Sequence, residues 1–131
     1  MSRVRSKNTE PEILVRRQLR SLGVGYRLHV RSLAGTPDIV FIGRRCVIFV
    51  HGCFWHRHEG CRLATSPKTN TEFWKAKFAA NVARDANDVK CLEEKGWRVL
   101  VIWQCEAQSV RLVERLQHFL GLGTSVAAND A

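Results

Sequence analysis

The stretch 46–61 concentrates the side chains best suited to bind a metal ion. It holds three of the chain's five cysteines and three of its five histidines. Cys53, His58 and Cys61 have the residue types and the close spacing of ligands for a structural zinc ion, which prefers four Cys or His ligands in a tetrahedron. Three such side chains within nine residues make a chance arrangement a weak alternative.

The fourth zinc ligand could be Cys105 or His56. We choose Cys105, because it follows a predicted strand that should neighbour the strand formed by residues 46–50. Its thiolate would then tie the metal-binding loop to the edge of the sheet. Cys46 and Cys91 fall inside a predicted strand and a predicted helix, where a cysteine usually acts as a small core residue.

Asp38 follows Pro37 at the start of an apolar strand, where an isolated carboxylate is costly. A Pro-Asp before a strand, and then a second strand with a polar end, resembles the metal site of the PD-(D/E)xK nucleases. That pattern places an acid and then a lysine where this chain has Phe49 and His51. We expect Asp38 and the backbone carbonyl of Val50 to bind Mg²⁺, which accepts sparse protein ligation. The alternative is a turn-forming aspartate.

His51 and His56 could each transfer protons near neutral pH. Each also has a structural interpretation, since His51 could cap the end of its strand and His56 could bind zinc. Glu12 lies three residues after Thr9, and this spacing predicts a capping box at the start of a helix. The alternative role for Glu12 is to orient an imidazole.

Aromatic side chains predict a second kind of contact. Phe54 and Trp55 follow Gly52 in a turn, where adjacent rings cannot both point inward easily. Together with Trp74 they could form a wedge that enters a base step and unstacks it. The alternative is that they belong to the core.

Length and charge narrow the classes of protein. The 131 residues predict one domain, and the formal net charge of +9 favours a polyanionic partner, above all nucleic acid. A membrane surface is less favoured, because no predicted helix combines a lipid-facing stripe with a basic face. Without a signal-peptide pattern, the protein is expected in the cytoplasm, where cysteines are more often ligands or free thiols than disulfides.

Hydrophobic periodicity predicts an α/β fold in which helices flank a mixed sheet. Residues 1–8 form a basic arm, 9–121 the folded domain, and 122–131 a tail expected to be disordered. The predicted elements are a helix from Thr9 to about Gly23, strands at 26–30, 39–42 and 46–50, a helix at 71–95, a strand at 97–103 and a helix at 106–120.

The chain resembles the very-short-patch-repair (Vsr) endonucleases over most of the predicted domain. The block that begins at His51 is the longest and most specific part of the match. The residues that carry the resemblance are Pro37-Asp38, His51-Gly52-Cys53-Phe54-Trp55-His56-x-His58, Thr71-Glu72-Phe73-Trp74, Asn81-Val82-x-Arg84-Asp85, and Gly96-Trp97-Arg98-Val99-Leu100 leading to Trp103-x-Cys105.

The resemblance implies a strand-specific nick 5′ to the thymine of a T:G mismatch, which arises when 5-methylcytosine deaminates. It also implies a restriction-endonuclease-like core, a structural zinc and Mg²⁺ at the cleavage site. By position, the resemblance implies that Asp38 and the Val50 carbonyl bind Mg²⁺. It implies that His56 activates the attacking water, that Glu12 orients His56, and that His51 is a second active-site histidine. The implied zinc ligands are Cys53, His58, Cys61 and Cys105, and the implied intercalating wedge is Phe54, Trp55 and Trp74.

The expected partner is double-stranded DNA with a T:G mismatch. We further expect a monomer associated with the nucleoid, with mismatch-repair proteins as candidate partners after the nick. Two other functions compete with this one. The first is a zinc-stabilised DNA-binding module without catalysis, and the second is a restriction or structure-specific nuclease with another DNA target.

Overall fold

A computed structural model describes residues 9–122 as a sheet with helices on both faces. The predicted basic arm, residues 1–8, and the predicted tail after residue 122 lie outside the described residues. In chain order, the elements are α1 Glu10–Ser21, β1 Arg27–Leu28, β2 Ile39–Phe41, β3 Cys46–His51, α2 Thr71–Glu94, β4 Arg98–Trp103 and α3 Leu112–Leu120.

The four strands lie in the order β1-β2-β3-β4. Arg44-Arg45 predicts a tight return that joins the strands at 39–42 and 46–50 into a hairpin. β2 and β3 form this antiparallel hairpin, in which Ile39 lies opposite Ile48. β4 pairs in parallel with β3, and His51 lies opposite Trp103. A parallel pair needs a long crossover connection, and α2 is that crossover. The predicted α/β class, with a mixed sheet flanked by helices, is therefore confirmed.

The core lies on both faces of the two central strands. On one face, Ile39 and Ile48 pack with residues of α1 and α3, including Leu19 and Leu116. On the other face, Val40, Val47 and Phe49 pack with Leu92 of α2 and with Trp97. This sandwich explains why β2 and β3 read as continuous apolar runs rather than alternating ones.

The inward face of α2 differs from the sequence prediction. The helical spacing of the apolar residues, Val82 among them, predicts that they share the inward face. Val82 is instead 46% exposed, whereas Asn81 is buried. The Asn81 side-chain amide donates a hydrogen bond to the backbone oxygen of Trp55, 3.1 Å away. A polar residue therefore occupies the inward stripe, because it binds a loop that the sequence pattern could not place there.

The last helix is shorter than predicted. It begins at Leu112 rather than at residue 106, and its buried side chains are Leu112, Leu116 and Leu120. A helix from residue 106 would place Val110 on the inward face with Leu116 and Leu120, but Val110 is 94% exposed. The hydrogen bonds of Glu106 explain the late start, since its carboxylate accepts from the backbone of Trp103 and from Arg115 and so holds a turn. Within residues 9–122, no helix is long and apolar enough to cross a membrane.

Candidate active site and metal-binding group

The parallel pairing of β3 and β4 brings the predicted sulfur ligands together. His51 lies opposite Trp103. Cys53 and Cys105 each follow one of these paired residues by two positions, so they come to lie beside each other. Cys53, His58, Cys61 and Cys105 offer ligand atoms that all lie within 4.8 Å of one another. Nδ1 of His58 is 3.6 Å from Sγ of Cys53 and 3.4 Å from Sγ of Cys105. Cys105, rather than His56, therefore completes a group able to hold a metal ion.

The surroundings of this Cys/His group favour a fixed geometry. The His58 ring stacks on Trp103 with centroids 4.3 Å apart and planes inclined by 7°. Loss of solvent around its sulfur, together with the neighbouring Cys53 and Cys61, raises the pKa of Cys105 to about 12. The backbone amide of Leu63 lowers the pKa of the Cys61 thiol to about 7. A bound cation would favour thiolates throughout such a group, since thiolates are the metal-binding form.

Asp38 lies where the predicted hairpin should place it, near the end of β3. Its Oδ2 accepts a hydrogen bond of 2.7 Å from the backbone N–H of Val50. Burial raises the pKa of Asp38 to about 6, and the Val50 hydrogen bond opposes that rise. The contact seen with Val50 is thus through its amide, whereas its carbonyl oxygen was the predicted metal ligand.

His51 and His56 lie together beyond the end of β3. Their rings stack with centroids 3.9 Å apart and planes inclined by 5°. His51 is only 7% exposed, and its Nδ1 has no hydrogen-bond partner among residues 9–122. Burial, and then the neighbouring His56, lower the pKa of His51 to about 4, so this imidazole is neutral at pH 7.

The acid beside His56 is Asp85 and not the predicted Glu12. Oδ2 of Asp85 lies 2.6 Å from Nδ1 of His56, and the ligand atoms of His51, His56 and Asp85 lie within 4.8 Å of one another. The reason is topological. His56 lies in the loop after β3, and α2 brings Asp85 against that loop, whereas Glu12 lies on α1 and contacts His29.

Glu12 instead pairs with His29. The backbone N–H of Glu12 donates to Oγ1 of Thr9 at 3.4 Å, as a capping box requires. The Glu12 side chain is 1% exposed, and its Oε2 lies 2.8 Å from Nε2 of His29. Glu12, His29 and Asp38 form a third group whose ligand atoms lie within 4.8 Å of one another.

Sequence reasoning assigned no catalytic or metal-binding role to His29 or Asp85. Asp85 could have been identified as a site residue from the sequence. It lies four residues after Asn81 and seven after Phe78, and therefore on the same inward face of α2. A carboxylate on the inward face of a helix indicates that another side chain pairs with it, because burial of an unpaired charge is costly. His29 gave no comparable signal, because its strand is short and its pattern is weak.

The predicted wedge residues form one aromatic cluster. Phe54 contacts Trp55 at 4.9 Å between centroids, and Trp55 contacts Trp74 at 5.7 Å. Phe78 adds a fourth ring, 5.2 Å from Phe54. All four side chains are partly buried against one another, so the tip is a packed cluster rather than separate protruding rings.

Arg57 fastens this cluster to the loop that follows it. Its guanidinium donates to the backbone oxygens of Phe54, Thr65 and Ala64 at distances of 3.2, 2.9 and 3.2 Å. It also lies over the ring of Phe78, 4.1 Å from the centroid. The residue has φ of 56°, an uncommon value for a non-glycine residue. These contacts fix the position of the aromatic cluster relative to α2.

A single cavity of about 770 Å³ is lined by Asp38, His29, His51, His56 and Asp85. Arg31 and Arg84 also line it and supply positive charge. The cavity therefore brings a carboxylate, paired imidazoles and guanidinium groups to one place, as hydrolysis of a phosphodiester requires.

The fold resembles that of a known nuclease domain. The chain is similar to the catalytic domain of the homing endonuclease I-Bth0305I, with a TM-score of 0.59 and 23% identity over 86% of this chain and 94% of that one. This likeness establishes the fold. Together with the family match and the relatives described next, the acid and the imidazoles in the cavity define the class of the protein as a DNA endonuclease.

Sequence comparison then gives the family. Residues 1–62 match the family model described as DNA mismatch endonuclease Vsr. The type II nicking enzyme V.XorIIP of Xanthomonas oryzae pv. oryzae is 52% identical over 92% of this chain and 88% of its own length. The DNA mismatch endonuclease Vsr of Escherichia coli K12 is 41% identical over 95% of this chain and 84% of its own. This chain belongs to the Vsr endonuclease family, and the resemblance found in its sequence is confirmed.

Proposed function

We propose that this protein nicks one DNA strand 5′ to the thymine of a T:G mismatch by Mg²⁺-dependent hydrolysis. The observation that carries the proposal is the placement of Asp38 and the His56–Asp85 pair in one cavity. The names of two relatives support it, since one is a DNA mismatch endonuclease and the other a type II nicking enzyme.

His56 is the group that takes the proton of the attacking water. An Nδ1–H held by the Asp85 carboxylate at 2.6 Å leaves the lone pair of His56 on Nε2, which is the form of a general base. Asp85 also stabilises the imidazolium once the proton has moved, as a buried carboxylate does beside a catalytic histidine. Asp85 thus takes the orienting role that the sequence assigned to Glu12.

His51 supports the base from the buried side. Its pKa, lowered to about 4, keeps it neutral at pH 7. A neutral ring stacked on His56 adds no positive charge that would oppose proton uptake by its neighbour. The role of His51 is therefore to set the position and the electrostatics of His56.

The residues at Asp38 fit a divalent cation. A buried carboxylate with a raised pKa gains from a bound positive charge, and the Val50 amide already fixes the orientation of one carboxylate oxygen. Asp38 would hold Mg²⁺ together with the backbone carbonyl of Val50. Bound there, Mg²⁺ would neutralise charge on the scissile phosphate and lower the pKa of water. Arg31 and Arg84 attract the phosphate into the cavity.

The Cys/His group fits zinc. In a tetrahedron with Zn–S near 2.3 Å and Zn–N near 2.05 Å, a sulfur and a nitrogen are roughly 3.5 Å apart. The two sulfur-to-Nδ1 distances at His58 are 3.6 and 3.4 Å. Cys53, His58, Cys61 and Cys105 would hold the ion and connect the loop after β3 to the end of β4.

The aromatic cluster would recognise the mismatch. Phe54, Trp55 and Trp74 would enter the base stack, and a mispaired step costs less to unstack than a paired one. Selectivity then comes from the lower energy of opening the mismatch, and the nick falls on the strand whose phosphate reaches Asp38 and His56.

The test uses a duplex labelled on each strand, with one T:G pair, beside its T:A control, in Mg²⁺. We expect preferential nicking of the T strand in the T:G duplex, and loss of nicking in Asp38→Ala and in His56→Ala. Glu94→Gln, an exposed position on α2 away from the cavity, is the matched control and should nick normally. Equal nicking of both duplexes would refute the mismatch specificity, and binding without nicking would refute catalysis.

A further inference from the structure

His29 lies beside two carboxylates, those of Glu12 and Asp38, close to the proposed cleavage site. Its Nε2 is 2.8 Å from Oε2 of Glu12, and the ligand atoms of Glu12, His29 and Asp38 lie within 4.8 Å of one another. The three residues come from α1, from the segment after β1 and from the position just before β2. The chain thus converges at this point from three separate segments.

The backbone at His29 has an unusual conformation, and from it the imidazole contacts Glu12. Its φ is 49°, in the left-handed region that residues other than glycine rarely adopt. The backbone N–H of His29 donates to the backbone oxygen of Asp38 at 3.0 Å, so the same residue is fixed against the strand that carries the carboxylate. Local strain of this kind clusters at ligand sites, where it positions a functional group.

Charge at this point also favours a cation. Glu12 is 1% exposed and Asp38 is partly buried, so two carboxylates lie close together with little solvent around them. Arg16 reaches the same oxygen of Glu12 at 3.4 Å, a longer contact than that of His29. A divalent ion between the carboxylates would remove their mutual repulsion more completely than one guanidinium on the helix surface.

We propose that His29 is a direct ligand, with Glu12 and Asp38, of the divalent cation at the cleavage site, and that its imidazole makes the site prefer Mn²⁺ over Mg²⁺. The inference rests on the proposed metal-dependent cleavage and deepens it. Mg²⁺ strongly favours oxygen ligands, whereas a transition metal accepts an imidazole nitrogen beside carboxylates. In the absence of a cation, the 2.8 Å contact between His29 and Glu12 holds the two ligand atoms together.

The direct test is Mn²⁺ electron spin-echo spectroscopy on the zinc-loaded protein without DNA. Zinc in the thiolate group prevents Mn²⁺ from binding there, since soft ligands select zinc. We expect modulation from a coordinated ¹⁴N nucleus in the unsubstituted protein, its loss in His29→Gln, and its retention in His56→Gln. His118→Gln, on α3 outside the cavity, is a second control that should retain the signal.

Three results would overturn the inference. They are an unchanged ¹⁴N signal in His29→Gln, loss of the signal in His56→Gln instead, and failure of the free protein to bind Mn²⁺ at millimolar concentration. The second result would place the cation among His51, His56 and Asp85.

A kinetic measurement adds an independent readout. The ratio of nicking rates in Mn²⁺ and Mg²⁺ should fall about tenfold or more in His29→Gln, the scale on which metal-site partners act. An unchanged ratio would contradict the inference. If Mn²⁺ binds through His29 but T:G and T:A duplexes are nicked equally, the mismatch specificity fails and the inference stands.

Discussion

Nδ1 of His56 and Oδ2 of Asp85 lie 2.6 Å apart, and this contact joins the loop after β3 to the crossover helix α2. The loop also carries three members of the Cys/His group and two rings of the aromatic cluster, those of Phe54 and Trp55. A single hydrogen bond therefore links the proposed general base to the helix that contributes Trp74. Because both partners are partly exposed, the contact matters for the tautomer of His56 more than for stability.

Asp85→Asn should lower the rate of nicking by roughly a thousandfold, as expected when a histidine base adopts the wrong tautomer. The amide can donate to Nδ1, which would move the proton of His56 to Nε2. Single-turnover nicking of the T:G duplex measures the effect, and Mn²⁺ affinity should stay unchanged. A variant that nicks within a few-fold of the normal rate would show that Asp85 does not orient the base.

Cys105→Ser should lose the bound zinc and unfold at a much lower temperature, because a structural zinc contributes on the order of 10 kcal/mol to folding. Cys91→Ser is the matched control, since this cysteine lies on α2 outside the metal-binding group. Zinc content by mass spectrometry of metals and thermal unfolding check both variants. Retention of one zinc in Cys105→Ser would contradict the assignment of the fourth ligand.

Arg57→Lys should destabilise the protein by about 2 kcal/mol and reduce the preference for T:G over T:A. A lysine keeps the charge but cannot donate to three backbone oxygens while stacking on Phe78. Denaturant unfolding and competition binding measure the two effects. Arg62→Lys, at an exposed position in the same loop, should change neither, and normal behaviour of Arg57→Lys would refute the role of Arg57 in fixing the aromatic cluster.

Asp38→Asn should abolish nicking while it stabilises the protein in the absence of added Mg²⁺. Burial raises the pKa of Asp38 to about 6, so ionisation of this group opposes folding. The penalty is absent below the ordinary pKa of an aspartate, grows between about pH 4 and pH 6, and is complete above that range. The gain should therefore approach about 3 kcal/mol at most at pH 7.5 and vanish near pH 4.

Denaturant unfolding of zinc-loaded Asp38→Asn at both pH values measures this difference, with Glu59→Gln as an exposed carboxylate control. The asparagine can still accept the hydrogen bond from Val50, so that contact is preserved. Equal stabilisation at both pH values would show that the carboxylate charge is not the cause.

The sequence by itself determined the elements and the local clusters. The spacing of Cys53, His58 and Cys61 within one loop predicted three members of the metal-binding group. The apolar runs at β2 and β3 predicted a buried hairpin, and that hairpin placed Asp38 beside Val50 as expected. These features depend on residues close together in the chain, or joined by a tight turn, and their spacing therefore fixes their geometry.

Only the tertiary structure decided which acid serves which imidazole. Asp85 reaches His56 because α2 is the crossover helix between the parallel strands β3 and β4. Glu12 reaches His29 because its side chain is buried beneath α1, although the capping pattern alone already accounted for an acid at this position. Neither pairing leaves a periodic trace, since the partners are separated by 29 and 17 positions. Contacts at such separations depend on how whole elements pack, and the spacing of residues along the chain does not record that packing.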